Sequence, residues 1–105
     1  DEPPLMLIDD AGVQLSLTPG AAPVEQPLQL VLNADDVIAV TGEVIGVSMY
    51  MGRVPLQFSR QQNIWQSEFL LGACSDPDMQ WQVQLELEYA NGEKRTLKQQ
   101  FQSSW

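Results

Sequence analysis

The chain has 105 residues, enough to bury one hydrophobic core and too few for two, and its fourteen Asp and Glu outnumber five Lys and Arg. With no His, it excludes a Ser-His-Asp triad, a Cys-His dyad, His-ligated zinc or haem and a His-based pH switch; the single Cys74 excludes an intramolecular disulfide and any multi-thiolate zinc site. The net charge of -9 repels phosphate backbones and anionic lipid, so no nucleic acid is expected as a partner.

The charge is uneven along the chain. Residues 1–52 carry eight acids and no base, and all five bases lie from Arg53 onward. The chain begins at Asp1 rather than Met and holds no apolar run near the roughly 18 residues of a membrane span. Either a targeting or anchoring segment has been removed, which would accord with export, or the sequence is the soluble part alone. Asp1 to Pro4 predicts a short extended lead-in.

Short runs punctuated by Pro and Gly follow, nearly all with period two. Val13, Leu15 and Leu17 alternate before Thr18-Pro19-Gly20, and Leu28, Leu30 and Leu32 alternate after Pro27. A short helical turn is the one such option, near Asp35 to Ile38. Over 43–51, Ile45, Val47, Met49 and Met51 share a parity that predicts a core-facing strand. Gly52-Arg53 reads as a tight turn into Val54, Leu56 and Phe58. Trp65, Phe69 and Leu71 share one parity in 63–71.

The strongest alternation runs over 79–90. Trp81, Val83, Leu85, Leu87 and Tyr89 oppose Gln80, Gln82, Gln84, Glu86 and Glu88, as in a strand with one dry face and one wet. Asn91-Gly92 then predicts a type I′ hairpin into Leu97 to Phe101. Seven or eight such strands predict one all-β domain over 1–105, an immunoglobulin-like antiparallel β-sandwich, with a small barrel as the rival architecture.

Four sulphurs stand out in Ser-Met-Tyr-Met-Gly and in Gly-Ala-Cys-Ser-Asp-Pro-Asp-Met-Gln-Trp. In this fold the strands 43–51 and 79–90 are antiparallel neighbours, so the end of one meets the start of the other. Met49 or Met51 is thereby expected near Met79, with Cys74 in the loop at the same rim. Thiolate and thioether are soft donors that select Cu(I), so Cys74, Met79, Met49 and Met51 form a candidate metal site. Alternate residues on a strand lie about 7 Å apart, so one ion would bridge Met49 and Met51 only with local bending. Trp81 and Trp65 could shield it from water. Core packing accounts for the same residues, since Met fills gaps and Cys is commonly buried.

A thiol-redox role for Cys74 lacks support from its neighbours: no base adjoins it, and Asp76 and Asp78 disfavour the thiolate. Asp9-Asp10, Asp35-Asp36 and Asp76/Asp78 do not match the spacing of an EF-hand loop and read as turn residues. Glu86, Glu88, Glu93, Lys94, Arg95 and Lys98 read as the solvated face of the last hairpin. Gly42, Gly46 and Gly52 are too isolated to cradle phosphate. As a binding module, the chain would offer end loops, a strand edge, and Tyr50, Trp81 and Trp105 as candidate partner-binding aromatics.

Met49-Tyr50-Met51-Gly52-Arg53-Val54-Pro55 and the stretch from Cys74 through Trp81 resemble small bacterial periplasmic immunoglobulin-like domains of the YtkA-like and FixH-like type. The resemblance covers residues 26–90 and lies in size, strand order and a Met-Gly-x-x-Pro hairpin. It implies an exported, membrane-tethered domain, periplasmic or elsewhere in the cell envelope, of a kind often associated with copper or oxidase assembly. The expectation is therefore a non-enzymatic accessory or interaction domain with no cofactor, a protein partner and a membrane tether. Its sharper alternatives are Cu(I) handling and thiol redox through Cys74.

Overall fold

In a computed structural model, which describes residues 3–50, 52–73 and 78–104, the chain forms two antiparallel sheets packed face to face. The strands are β1 (Leu5–Asp10), β2 (Val13–Thr18), β3 (Leu28–Ala34), β4 (Val37–Gly46), β5 (Arg53–Leu56), β6 (Ser59–Gln61), β7 (Ile64–Phe69), β8 (Gln80–Tyr89) and β9 (Lys94–Gln102). One sheet has the order β1-β2-β3-β7-β6 and the other β5-β4-β8-β9. Leaving β1 aside, these are the ABED and C′CFG orders of an immunoglobulin-like sandwich. The sandwich is open, not a barrel. Among the described residues nine strands are present rather than seven or eight, because β1 and the three-residue β6 bury little and leave no alternation to read.

The alternating runs build the core as expected. Leu15, Leu17, Leu28, Leu30 and Leu32 from one sheet meet Trp81, Val83, Leu85 and Leu87 from the other, all nearly or fully buried. Each is a large apolar side chain removed from water, the dominant favourable term in folding. Leu97 and Phe101 of β9 and Trp65, Phe69 and Leu71 also face inward.

Strand β4 departs from the predicted parity. It runs from Val37 to Gly46, not over 43–51, and buries Val40 and Val44 while Val47 and Met49 lie exposed beyond its end. Two features hide this in the sequence. The pairing with β8 slips between Val37 and Ala39, and the inward position 42 is a glycine. A Cβ at Gly42 would collide with the Gln84 carbonyl oxygen and the Leu85 side chain, so β4 can lie close on β8 only without one. An apolar run on the outer parity then imitates a core face.

The turns also differ from expectation. Asp36, at φ 63°, turns the chain into β4 where a helical turn was the sequence option. Ile45 pairs with Arg53, so the β4–β5 connection is a longer loop rather than a tight Gly52-Arg53 turn. In the last hairpin only Gly92 has positive φ, the Gly92 N–H donates to the Tyr89 oxygen at 2.9 Å, and the Tyr89 N–H donates to the Glu93 oxygen at 2.8 Å. That is a three-residue loop ending in a left-handed glycine, not type I′. The type I′ pattern occurs instead at Ala11 (φ 48°) and Gly12 (φ 80°) between Asp10 and Val13.

Candidate functional site

The β4–β8 ladder sets Gly46 opposite Trp81, so the 46–52 loop meets the start of β8 at one pole of the sandwich, as the topology predicts. Contact there is made by a different residue. The Val47 N–H donates to the Gln80 oxygen at 2.8 Å and brings Ser48, itself exposed, against the start of β8. The Ser48 hydroxyl donates to the Met79 sulphur at 3.1 Å and accepts from the Gln80 N–H at 3.0 Å. Met79 is fully buried, whereas Met49 is 38% exposed. Packing and a hydroxyl bond therefore account for the Met79 sulphur, and Met49 points its surface to water. Met51, Cys74 and Trp105 lie outside the described residues.

The other candidates separate in the same way. Tyr50 is 85% exposed. Trp81 is only 1% exposed, and its indole N–H donates to the Ser103 hydroxyl at 3.0 Å, so its ring has no face to offer a partner. Trp65 sits opposite Leu32 in the other sheet, toward the far pole, with the Arg60 guanidinium 5.2 Å from its ring centre. It cannot shield the sulphur rim. Among the described residues no group of three or more Cys, Asp or Glu side chains is placed to hold a metal. No described helix is long and apolar enough to cross a membrane.

A second pattern emerges from the exposed apolar side chains. Among the described residues the large ones are Leu5, Met6, Ile38, Val47, Met49, Tyr50 and Leu70. Six of these seven, all but Ile38, lie in the half of the sandwich where β1, β5 and β8 begin and β4, β7 and β9 end. The registers bring Leu5 and Leu70 toward the same end of their sheet: Leu5 is level with Leu17, Leu17 with Leu30, and Leu28 with Phe69 beside Leu70. The two sheets are tied at this pole, where the Glu25 N–H donates to the Leu71 oxygen and the Ser103 N–H to the Met79 oxygen. Pro3, Pro4, Leu5, Gly20 and Ala21 line a mainly apolar recess of ≈ 370 Å³ there.

Tyr50 and Met49 are residues the sequence singles out. Leu5, Met6, Val47 and Leu70 are not, although Leu70 carries a readable signal: it stands on the solvent parity beside buried Leu71. The opposite pole is polar. It holds Asp9, Asp10, Asp35, Asp36, Glu88 and Glu93, with Arg95 3.9 Å from Asp10 and the Asn63 amide donating to Asp35 at 2.9 Å. No protein-family model, curated protein or solved structure matches this chain.

Proposed function

We propose that the chain is a non-enzymatic interaction domain of an exported or membrane-anchored bacterial envelope protein, and that it docks a protein partner through its apolar pole. The observation that carries this reading is that six of the seven exposed large hydrophobics, among the described residues, lie in one half of the sandwich. Scattered surface apolar groups are ordinary, but an uneven share contributed by β1 and by two loops of the same half is accounted for by a surface they cover together. A protein fits better than anionic lipid, because Glu25, Glu68 and Asp78 border the pole and the whole chain carries -9. The envelope setting rests on the resemblance to periplasmic immunoglobulin-like domains.

A photocrosslinking amino acid at position 50, 70 or 38, in the source cell, tests the reading. Positions 50 and 70 are expected to trap one common protein and position 38 to trap none. Purified, that protein should bind the wild type and lose about tenfold or more in affinity with Tyr50→Ser and Leu70→Ser together. Equal adducts from position 38, or unchanged affinity, would overturn it. The copper alternative has its own test, a Cu(I) titration against a competing chelator on wild type and Cys74→Ser. Binding that vanishes in the variant would support that alternative.

A further inference from the structure

Four strands end the two sheets, and three are closed to further pairing. Strand β6 has three residues, β5 has Pro55 within its four, and the pairing of β1 slips between Met6 and Ile8. Strand β9 runs nine residues without Pro, Gly or a register slip. A long, regular edge of this kind can accept another strand.

Two bonds fix which backbone groups face outward. The Tyr89 N–H donates to the Glu93 oxygen, and at the other end the Ser103 N–H donates to the Met79 oxygen. Hydrogen-bonded pairs alternate along an antiparallel ladder, so the odd-numbered residues of β9 bond β8. The even-numbered residues then aim N–H and C=O at the open edge. Ser104, the next even residue, already uses that edge: its N–H donates to the Ala22 oxygen at 3.0 Å and its oxygen accepts the Val24 N–H at 2.8 Å. Gln102, Gln100, Lys98, Thr96 and Lys94 continue the row, with no strand paired to them among the described residues. Arg95 closes the far end by donating to the Ala11 oxygen at 3.3 Å. Between these two ties an open recess of ≈ 420 Å³ separates β9 from Leu7, Ile8, Asp9 and Asp10 of β1.

We propose that this edge receives one further strand from a partner protein, an extended segment in which acidic and apolar residues alternate. Charge selects the acidic residues. Lys94–Gln102 carries three bases and no acid in a chain of net charge -9, and neither Lys94 nor Lys98 has an ion-pair partner among the described residues. The apolar residues answer Leu7, Ile8 and Leu97 on the inner side. Strand β8 supplies the same pattern on the other edge of β9, where Leu85-Glu86-Leu87-Glu88 sets Glu88 opposite Lys94 and Leu85 opposite Leu97. A second copy is disfavoured, because antiparallel pairing of two β9 edges brings their lysines together. The surface is separate from the apolar pole, so its test does not depend on that reading.

The probe is a synthetic peptide, Gln-Leu-Glu-Leu-Glu-Tyr, with a control in which Lys replaces both Glu. Hydrogen exchange by NMR is read on the full chain. The peptide should slow exchange at Thr96, Lys98 and Gln100, and the control should not. Lys98→Glu should weaken binding roughly fivefold, the upper end of a cross-strand charge pair. Lys98→Pro removes an N–H that β8 does not use and should abolish protection with β8–β9 exchange intact. Protection absent at millimolar peptide, protection indifferent to Lys98→Glu, protection on β5 instead, or self-association through β9 at the same concentrations would each overturn the proposal.

Discussion

At one end of the sandwich the loops carry Val47, Met49, Tyr50 and Leu70 to solvent; at the other they carry Asp35, Asp36, Asn63 and Glu93. The connections differ as much as the side chains. The polar end is closed by short turns, among them Ala11-Gly12, Asp35-Asp36, Gln62-Asn63 and the loop ending in Gly92. The apolar end has the long connections, 19–27, 46–52 and 70–79. A short turn has only to reverse the chain, and polar or glycine residues do that at little cost. Long connections in a compact domain are where binding surfaces are built. The strands are thus a common scaffold carrying two poles of opposite surface character.

The largest effect is expected at Trp81, the core residue beneath the apolar pole. Trp81→Ala should cost about 3–5 kcal/mol in urea denaturation, from the lost ring and the cavity it leaves. A loss under about 1 kcal/mol would mean that the loops carry themselves, without the core below them. Next comes Ser48, which joins the 46–52 loop to β8. Ser48→Ala hands the Gln80 N–H to water and should cost about 0.5–1 kcal/mol. Proteolysis should then begin in that loop. Cleavage elsewhere would show that Ser48 does not hold it.

At the polar pole the sign reverses. Ala11 occupies a left-handed conformation that Asn or Gly adopts more readily. Ala11→Asn should therefore stabilise by about 0.5–1 kcal/mol, read as a rise in Tm. An unchanged or lower Tm would mean that the turn is held by contacts rather than by its own backbone preference.

Much of the scaffold was legible because its strands are half wet. Trp81 to Tyr89 alternates with Gln and Glu, and Leu28, Leu30 and Leu32 leave little doubt about which side is dry. The meeting of the β4–β5 loop with the start of β8 followed from topology alone. What failed was parity where both faces carry apolar residues. Over 43–51 the run Ile45, Val47, Met49 looks internal because the truly inward parity offers only Val44 and the side-chain-less Gly46 before β4 ends. The same slip concealed the apolar pole, since residues assigned to the core are not counted as surface. Met49 or Met51 was expected near Met79; the bonded neighbour of that sulphur among the described residues is Ser48, and Met51 lies outside them. The free edge of β9 was out of reach for another reason: which amides point outward depends on the pairing, not on the alternation of side chains.

The central claim is that the exposed apolar residues of one pole serve recognition and not stability. It is tested most directly by affinity and unfolding free energy measured together for Tyr50→Ser/Leu70→Ser and for Ile38→Ser, against the partner trapped from position 50. Both variants are expected to keep wild-type stability within about 0.5 kcal/mol, and only the first to lose affinity, by about tenfold or more. Equal affinity in the two variants, or a loss in the first that matches a loss of folding, would contradict it.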